Sequence, residues 1–115
     1  QEYEIEFYDK ADGSEPVKEF ILSLDKKMQA KVLRTVALRG AMFKGTVFKA
    51  LDDGIFEIRT KFGSDITRVL YFFVVGKKVI LTNGFIKKTQ KTPASEITLA
   101  KQYRADYLAR KENSK

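Results

Sequence analysis

Residues Ile55 to Ile86 read IFEIRTKFGSDITRVLYFFVVGKKVILTNGFI, and their periodicity decides the fold. Phe56, Ile58, Thr60 and Phe62 alternate with Ile55, Glu57, Arg59 and Lys61, the period of two that marks a strand. Gly63-Ser64-Asp65 is a short turn. Ile66 to Val75 (ITRVLYFFVV) is apolar on both faces apart from Thr67, Arg68 and Tyr71, which reads as a central strand. Gly76-Lys77 supplies the next tight turn, and Lys78 to Ile86 forms the last strand. Three strands joined by short glycine-bearing turns make an antiparallel meander.

Working outward, residues 2 to 8 alternate Tyr3, Ile5 and Phe7 with Glu2, Glu4 and Glu6, which predicts a half-buried first strand beside the meander. Ser14 is placed to cap a helix whose first turn holds Glu15 and Pro16, with Val17, Phe20, Ile21 and Leu24 on one stripe. Asp25 can open a second helix carrying Met28, Val32 and Val36, widened by Leu33 and Ala37; Lys26, Lys27, Lys31, Arg34 and Arg39 lie on its outer face. Beyond the meander, the run Asn83 to Pro93 (NGFIKKTQKTP) is a basic loop, and Thr92-Pro93 starts a last helix that extends to about Arg110. The expected fold class is α+β, in the order β-α-α-β-β-β-α. It consists of an antiparallel sheet, a helical hairpin on one face and a C-terminal helix. One domain spans residues 1–115, with 112–115 a frayed polar tail.

Composition excludes several kinds of chemistry. The chain has 115 residues with no cysteine and no histidine, so disulfides, thiolate metal sites and Ser/His/Asp catalysis are ruled out. No phosphate-cradling glycine loop occurs, and Asp52, Asp53 and Asp65 are explained by turn chemistry, so neither a cofactor nor a metal is expected. No apolar run approaches the ~18–20 residues of a spanning helix. The acidic N-terminus lacks a secretory pattern, so the expected location is cytoplasmic, away from membranes. A net charge of +7 favours a polyanionic partner.

By alternation, Glu57, Arg59 and Lys61 share the face opposite Phe56, Ile58 and Phe62. With Arg68 on the next strand and Lys87 and Lys88 at the end of the third, these groups can converge on one phosphate, since neighbouring strands lie about 4.8 Å apart. The blander alternative for Glu57 and Arg59 is an ion pair on a solvated face. For Arg68 it is a buried partner for Glu57, and for Tyr71 a core position rather than a phosphate donor.

Lys49-Ala-Leu51, Gly54-Ile-Phe56-Glu57-Ile-Arg59, Arg68-Val-Leu-Tyr71-Phe-Phe and Gly84-Phe85-Ile-Lys87-Lys88-Thr89-Gln90-Lys91-Thr92-Pro93 together form a pattern. It resembles the HigB-type, phage-protein-like branch of the RelE/ParE toxin superfamily, whose element order matches the one read above. The resemblance implies the toxin of a type II toxin–antitoxin module, with a HigA-like helix-turn-helix antitoxin as partner in a hetero-oligomer. It implies a ribosome-dependent endoribonuclease, an mRNA interferase that cuts translated messages by metal-free attack of a ribose 2′-OH on the neighbouring phosphate.

Carried onto this chain, Arg59 and Arg68 would clamp phosphate, and Lys87 or Lys88 would stabilise transition-state charge or protonate the leaving oxygen. Glu57 would act as base or orient the arginines. Lys49, Lys61, Tyr71 and Lys91 would contact RNA. Two alternatives are a ParE-like inhibitor of DNA gyrase that is not a nuclease, and a non-catalytic basic module that binds nucleic acid or protein. The Glu57-x-Arg59 pair and the basic loop favour the nuclease. The cationic helix face from Lys26 to Arg39 is the expected contact for an acidic antitoxin or ribosomal RNA.

Overall fold

The computed structural model describes residues 4–42, 49–74, 77–86 and 91–113. Its elements are β1 (Glu4–Phe7), α1 (Pro16–Leu22), α2 (Lys26–Met42), β2 (Lys49–Asp52), β3 (Ile55–Phe62), β4 (Asp65–Val74), β5 (Lys78–Ile86) and α3 (Ala94–Asn113). The five strands form one sheet in the order β1-β5-β4-β3-β2. The domain is therefore α+β, as expected, with two differences in the sheet. A short strand at residues 49–52 precedes the meander and pairs with β3. β1 runs parallel to β5, so the sheet is mixed rather than antiparallel. Periodicity detects neither difference: Lys49-Ala50-Leu51-Asp52 does not alternate, and strand direction depends on the path of the chain between strands.

Local chemistry explains the tight turns. Asp53 and Gly54 both take positive φ (49° and 80°), the requirement of the two-residue type I′ turn that joins β2 to β3. Asp25 Oδ1 accepts from the Met28 amide at 2.9 Å and so caps α2, as the sequence predicts. Ser14 does otherwise: its amide and hydroxyl both donate to Asp12 Oδ1 in the preceding turn, and Glu15 occupies the N-cap of α1. An Asx turn has taken the serine that the helix could have used.

The sheet has a core on each face. Val17 and Ile21 of α1 and Met28, Val32 and Val36 of α2 pack on Ile58, Val69, Tyr71, Val79 and Leu81. Leu33 and Ala37, expected to widen that helix face, are exposed. On the opposite face, Ala100 and Tyr107 of α3 pack with Tyr8, Ile55, Leu70, Phe72 and Ile80. The C-terminal helix thus covers the face that the sequence reading leaves open to solvent. β3 and β4 carry apolar residues at Ile55, Leu70 and Phe72 on that side, and these need cover.

Polar ties hold α3 along its length. Asn83 Nδ2 donates to Glu96 Oε1 at 2.9 Å, Lys101 Nζ lies 2.8 Å from Asp52 Oδ2, and Arg104 Nη2 lies 2.8 Å from Asp53 Oδ2. Near the far end, the Tyr8 hydroxyl donates to Asp106 Oδ2, which also receives Arg110 Nη2 at 2.8 Å. The Tyr8 ring stacks on Tyr103 at 4.6 Å between centroids.

A β-bulge decides what β5 presents. Leu70 pairs with Asn83 and Tyr71 with Leu81, so Thr82 is the extra residue. Past this point the alternation is reversed: Asn83 and Phe85 turn to the α3 side, while Gly84 faces α1. A Cβ at Gly84 would lie 2.5 Å from Phe20 Cδ2, so the close approach of α1 requires glycine there. Gly84→Ala is expected to lower stability by about 1–3 kcal/mol, the usual cost of overpacking, measured by urea denaturation. Burial, then the hydrogen bond to Asp106 and its charge, push the Tyr8 phenol up to about 12 from 10.0. The fold favours the neutral phenol, so this stabilisation is complete below the unfolded value and is lost as pH rises from 10.0 to about 12. Tyr8→Phe is expected to flatten the stability–pH curve across that interval.

Candidate functional site

Glu57 and Arg59 stand two residues apart on β3, so their side chains emerge on one face about 6.6 Å apart along the strand. The cross-strand register places Arg68 directly opposite Arg59, and Lys49 opposite Glu57. This is the α3 face of the sheet, where Glu57 is fully buried instead of forming a solvated surface pair. Its carboxylate holds two partners. Oε2 accepts from Arg59 Nε, and Oε1 accepts from the Thr92 hydroxyl in the segment leading into α3.

Arg68 is fully buried, and its Nη1 donates to the Lys91 carbonyl at 3.2 Å. Residues 91 and 92 therefore rest on two neighbouring strands, one through its carbonyl and the next through its hydroxyl. Arg59 is the guanidinium that reaches solvent, with 28% of its side chain exposed. Lys61 and Lys91 are exposed.

Among the described residues the cluster carries more positive than negative charge. Glu57, Arg59 and Arg68 sum to +1, and two guanidiniums face each other across the β3–β4 ladder, an unfavourable cross-strand pairing. Burial, then the charge of Arg59, hold the Arg68 pKa below its ordinary value, and Glu57 offsets this in part. A guanidinium remains charged in a protein, so the shift shows strain on the charge rather than loss of a proton. Such an arrangement suits an anion beside Arg59, where a planar fork of donors matches a phosphate.

Of the residues expected at the site, Glu57, Arg59 and Arg68 come together, Lys49 takes a register position beside them, and Lys61 and Lys91 lie at the margin. Tyr71 does not join them. It is fully buried on the opposite face, stacked on Phe56 at 5.6 Å between centroids and edge-on to Phe73. Alternation separates 68 from 71, so the core alternative is correct for Tyr71. Lys87 and Lys88 lie outside the described residues. Thr92, which the sequence reads as a helix start, joins the cluster through its hydroxyl, whereas Asn83 turns to Glu96 of α3. The hydroxyl of a threonine before proline signals a helix start, and the bulge that redirects Asn83 has no mark in the sequence.

The basic face of α2 (Lys26, Lys27, Lys31 and Arg34) is exposed, but on the other side of the sheet from this cluster. Among the described residues, no group of three or more carboxylates is placed to hold a metal ion, and no helix is long and apolar enough to cross a membrane.

Comparison with known proteins places these features in a family. The family model described as "Phage derived protein Gp49-like (DUF891)" matches residues 19–105, which includes every residue of the cluster. No curated protein matches the chain. Removing the Glu57 charge tests the arrangement directly. Glu57→Gln is expected to cost about 2–4 kcal/mol in urea denaturation, somewhat below the fully buried range because solvent screens the partly exposed Arg59.

Proposed function

The chain belongs to the Gp49-like phage-derived family, which is associated with toxin–antitoxin modules, and from that premise we propose that it is a ribosome-dependent mRNA endoribonuclease of the HigB type. The observation that carries the reading is the +1 cluster in which a buried Glu57 holds a partly exposed Arg59 beside Arg68. Attack of a ribose 2′-OH on the adjacent phosphorus forms the new P–O bond and breaks the bond to the 5′-oxygen, while the 2′-OH proton passes to solvent and the leaving 5′-oxygen takes one up. The products are a cyclic phosphate and a free 5′-OH. Negative charge gathers on the phosphate oxygens, and a preorganised guanidinium stabilises it without reorganisation.

In this scheme Arg59 contacts the scissile phosphate. Arg68 adds positive field from below and holds the Lys91 carbonyl. Glu57 has no exposed side-chain surface, and both its oxygens are engaged, so its role is to orient Arg59 rather than to accept the proton. Lys61 and Lys91, exposed at the margin, can follow the RNA backbone, and Lys49 keeps its proposed RNA contact. Lys87 or Lys88 keeps its proposed role in charge stabilisation or leaving-group protonation. A helix-turn-helix antitoxin is the proposed partner in the cell, and the ribosome positions the message.

Brief expression followed by primer-extension mapping of message ends tests the proposal. The expected result is cuts within translated codons, reduced by about 100-fold or more in Arg59→Ala. Intact messages accompanied by DNA breaks would overturn it in favour of gyrase poisoning.

A further inference from the structure

Thr92 sits at the junction of the basic loop and α3 and is only 6% exposed. Its hydroxyl donates to Glu57 Oε1, while the other carboxylate oxygen accepts from Arg59 Nε. The neighbouring Lys91 carbonyl is held by Arg68 at 3.2 Å, which fixes the backbone from which the Thr92 hydroxyl reaches. A carboxylate gripped at only one oxygen can rotate about its last torsion, since that bond is broad and soft. Gripped at both, it has one orientation, and the guanidinium bound to it inherits that orientation.

We infer that Thr92 is a positioning residue: its hydroxyl locks the Glu57 carboxylate and thereby aims Arg59 at the phosphate, an inference that rests on the phosphate reading of the site. The device joins three elements. β3 supplies the carboxylate and the guanidinium, and the approach to α3 supplies the donor that sets both. Without that donor, Oε1 is a buried carboxylate oxygen lacking a partner, and the carboxylate turns to find one. The side chain that turns with it is Arg59, because Nε is bound to the same carboxylate.

Valine and serine separate the hydroxyl from the methyl group. Thr92→Val keeps the shape and removes the donor, whereas Thr92→Ser keeps the donor and removes the methyl. The first measurement needs no RNA. The Nε–H resonance of Arg59 is assigned in a proton–nitrogen correlation spectrum by its loss in Arg59→Lys. It is expected to be shifted and slowly exchanging in the wild type and in Thr92→Ser, and to change position and exchange faster in Thr92→Val. An unchanged resonance in Thr92→Val overturns the inference.

The second measurement is a double-mutant cycle on binding to ribosomes programmed with a 2′-O-methylated message, which carries the phosphates but cannot be cleaved by 2′-OH attack. Thr92→Val is expected to weaken binding about tenfold in the native background and to have no effect in Arg59→Ala. Equal losses in both backgrounds would mean that Thr92 acts on the fold rather than through Arg59, and would overturn the inference. A responsive Arg59 resonance in a protein that does not bind these message-loaded ribosomes would overturn the phosphate reading while supporting the hold of Thr92 on Arg59.

Discussion

The arrangement depends on a single buried carboxylate. Glu57 lies on the α3 side of the sheet with no exposed side-chain surface, and a charge in that position is tolerated only with partners on it. One partner comes from its own strand and the other from the segment entering α3. The need to satisfy this group thus ties the third strand to the last helix. It also offsets part of the repulsion between two arginines that face each other across the sheet. Stability and the candidate chemistry share the same atoms.

That constraint changes how the second face of the sheet is read. A helical hairpin on one side leaves an open surface for a site on the other, and the charged residues of β3 fit that picture. In the structure α3 lies across the open side, held near its start by Asn83, midway by Asp52 and Asp53, and near its end by Tyr8. The buried charges cluster where the chain enters α3, with Arg59 reaching out at the margin. The site is a margin between a strand and a helix start, and the basic face of α2 is separated from it by the thickness of the sheet.

Much of this was legible from residue types and spacing. Alternation places Glu57, Arg59 and Lys61 together and away from Phe56 and Ile58, and the structure agrees on the face but buries Glu57, with Arg59 partly exposed and Lys61 exposed. Tyr71 is in the opposite situation. Its residue type suits phosphate contact, yet its position three residues from Arg68 sends it into the other core. Thr92 reads as a helix start, and nothing in its neighbours signals that its hydroxyl serves a carboxylate 35 residues earlier in the chain.

What the sequence determined by itself is local: strand and helix periods, the Asp53-Gly54 turn, the capping of α2 by Asp25, and the charge balance that points to a polyanion. These follow from interactions within a few residues, which leave a direct trace in order and spacing. The tertiary structure alone decided the parallel pairing of β1, the bulge at Thr82 that turns Asn83 toward α3, and the burial of Glu57. Each depends on which surface arrives opposite a residue from a distant part of the chain. A period of two specifies two faces of a strand, but only packing decides what covers each one.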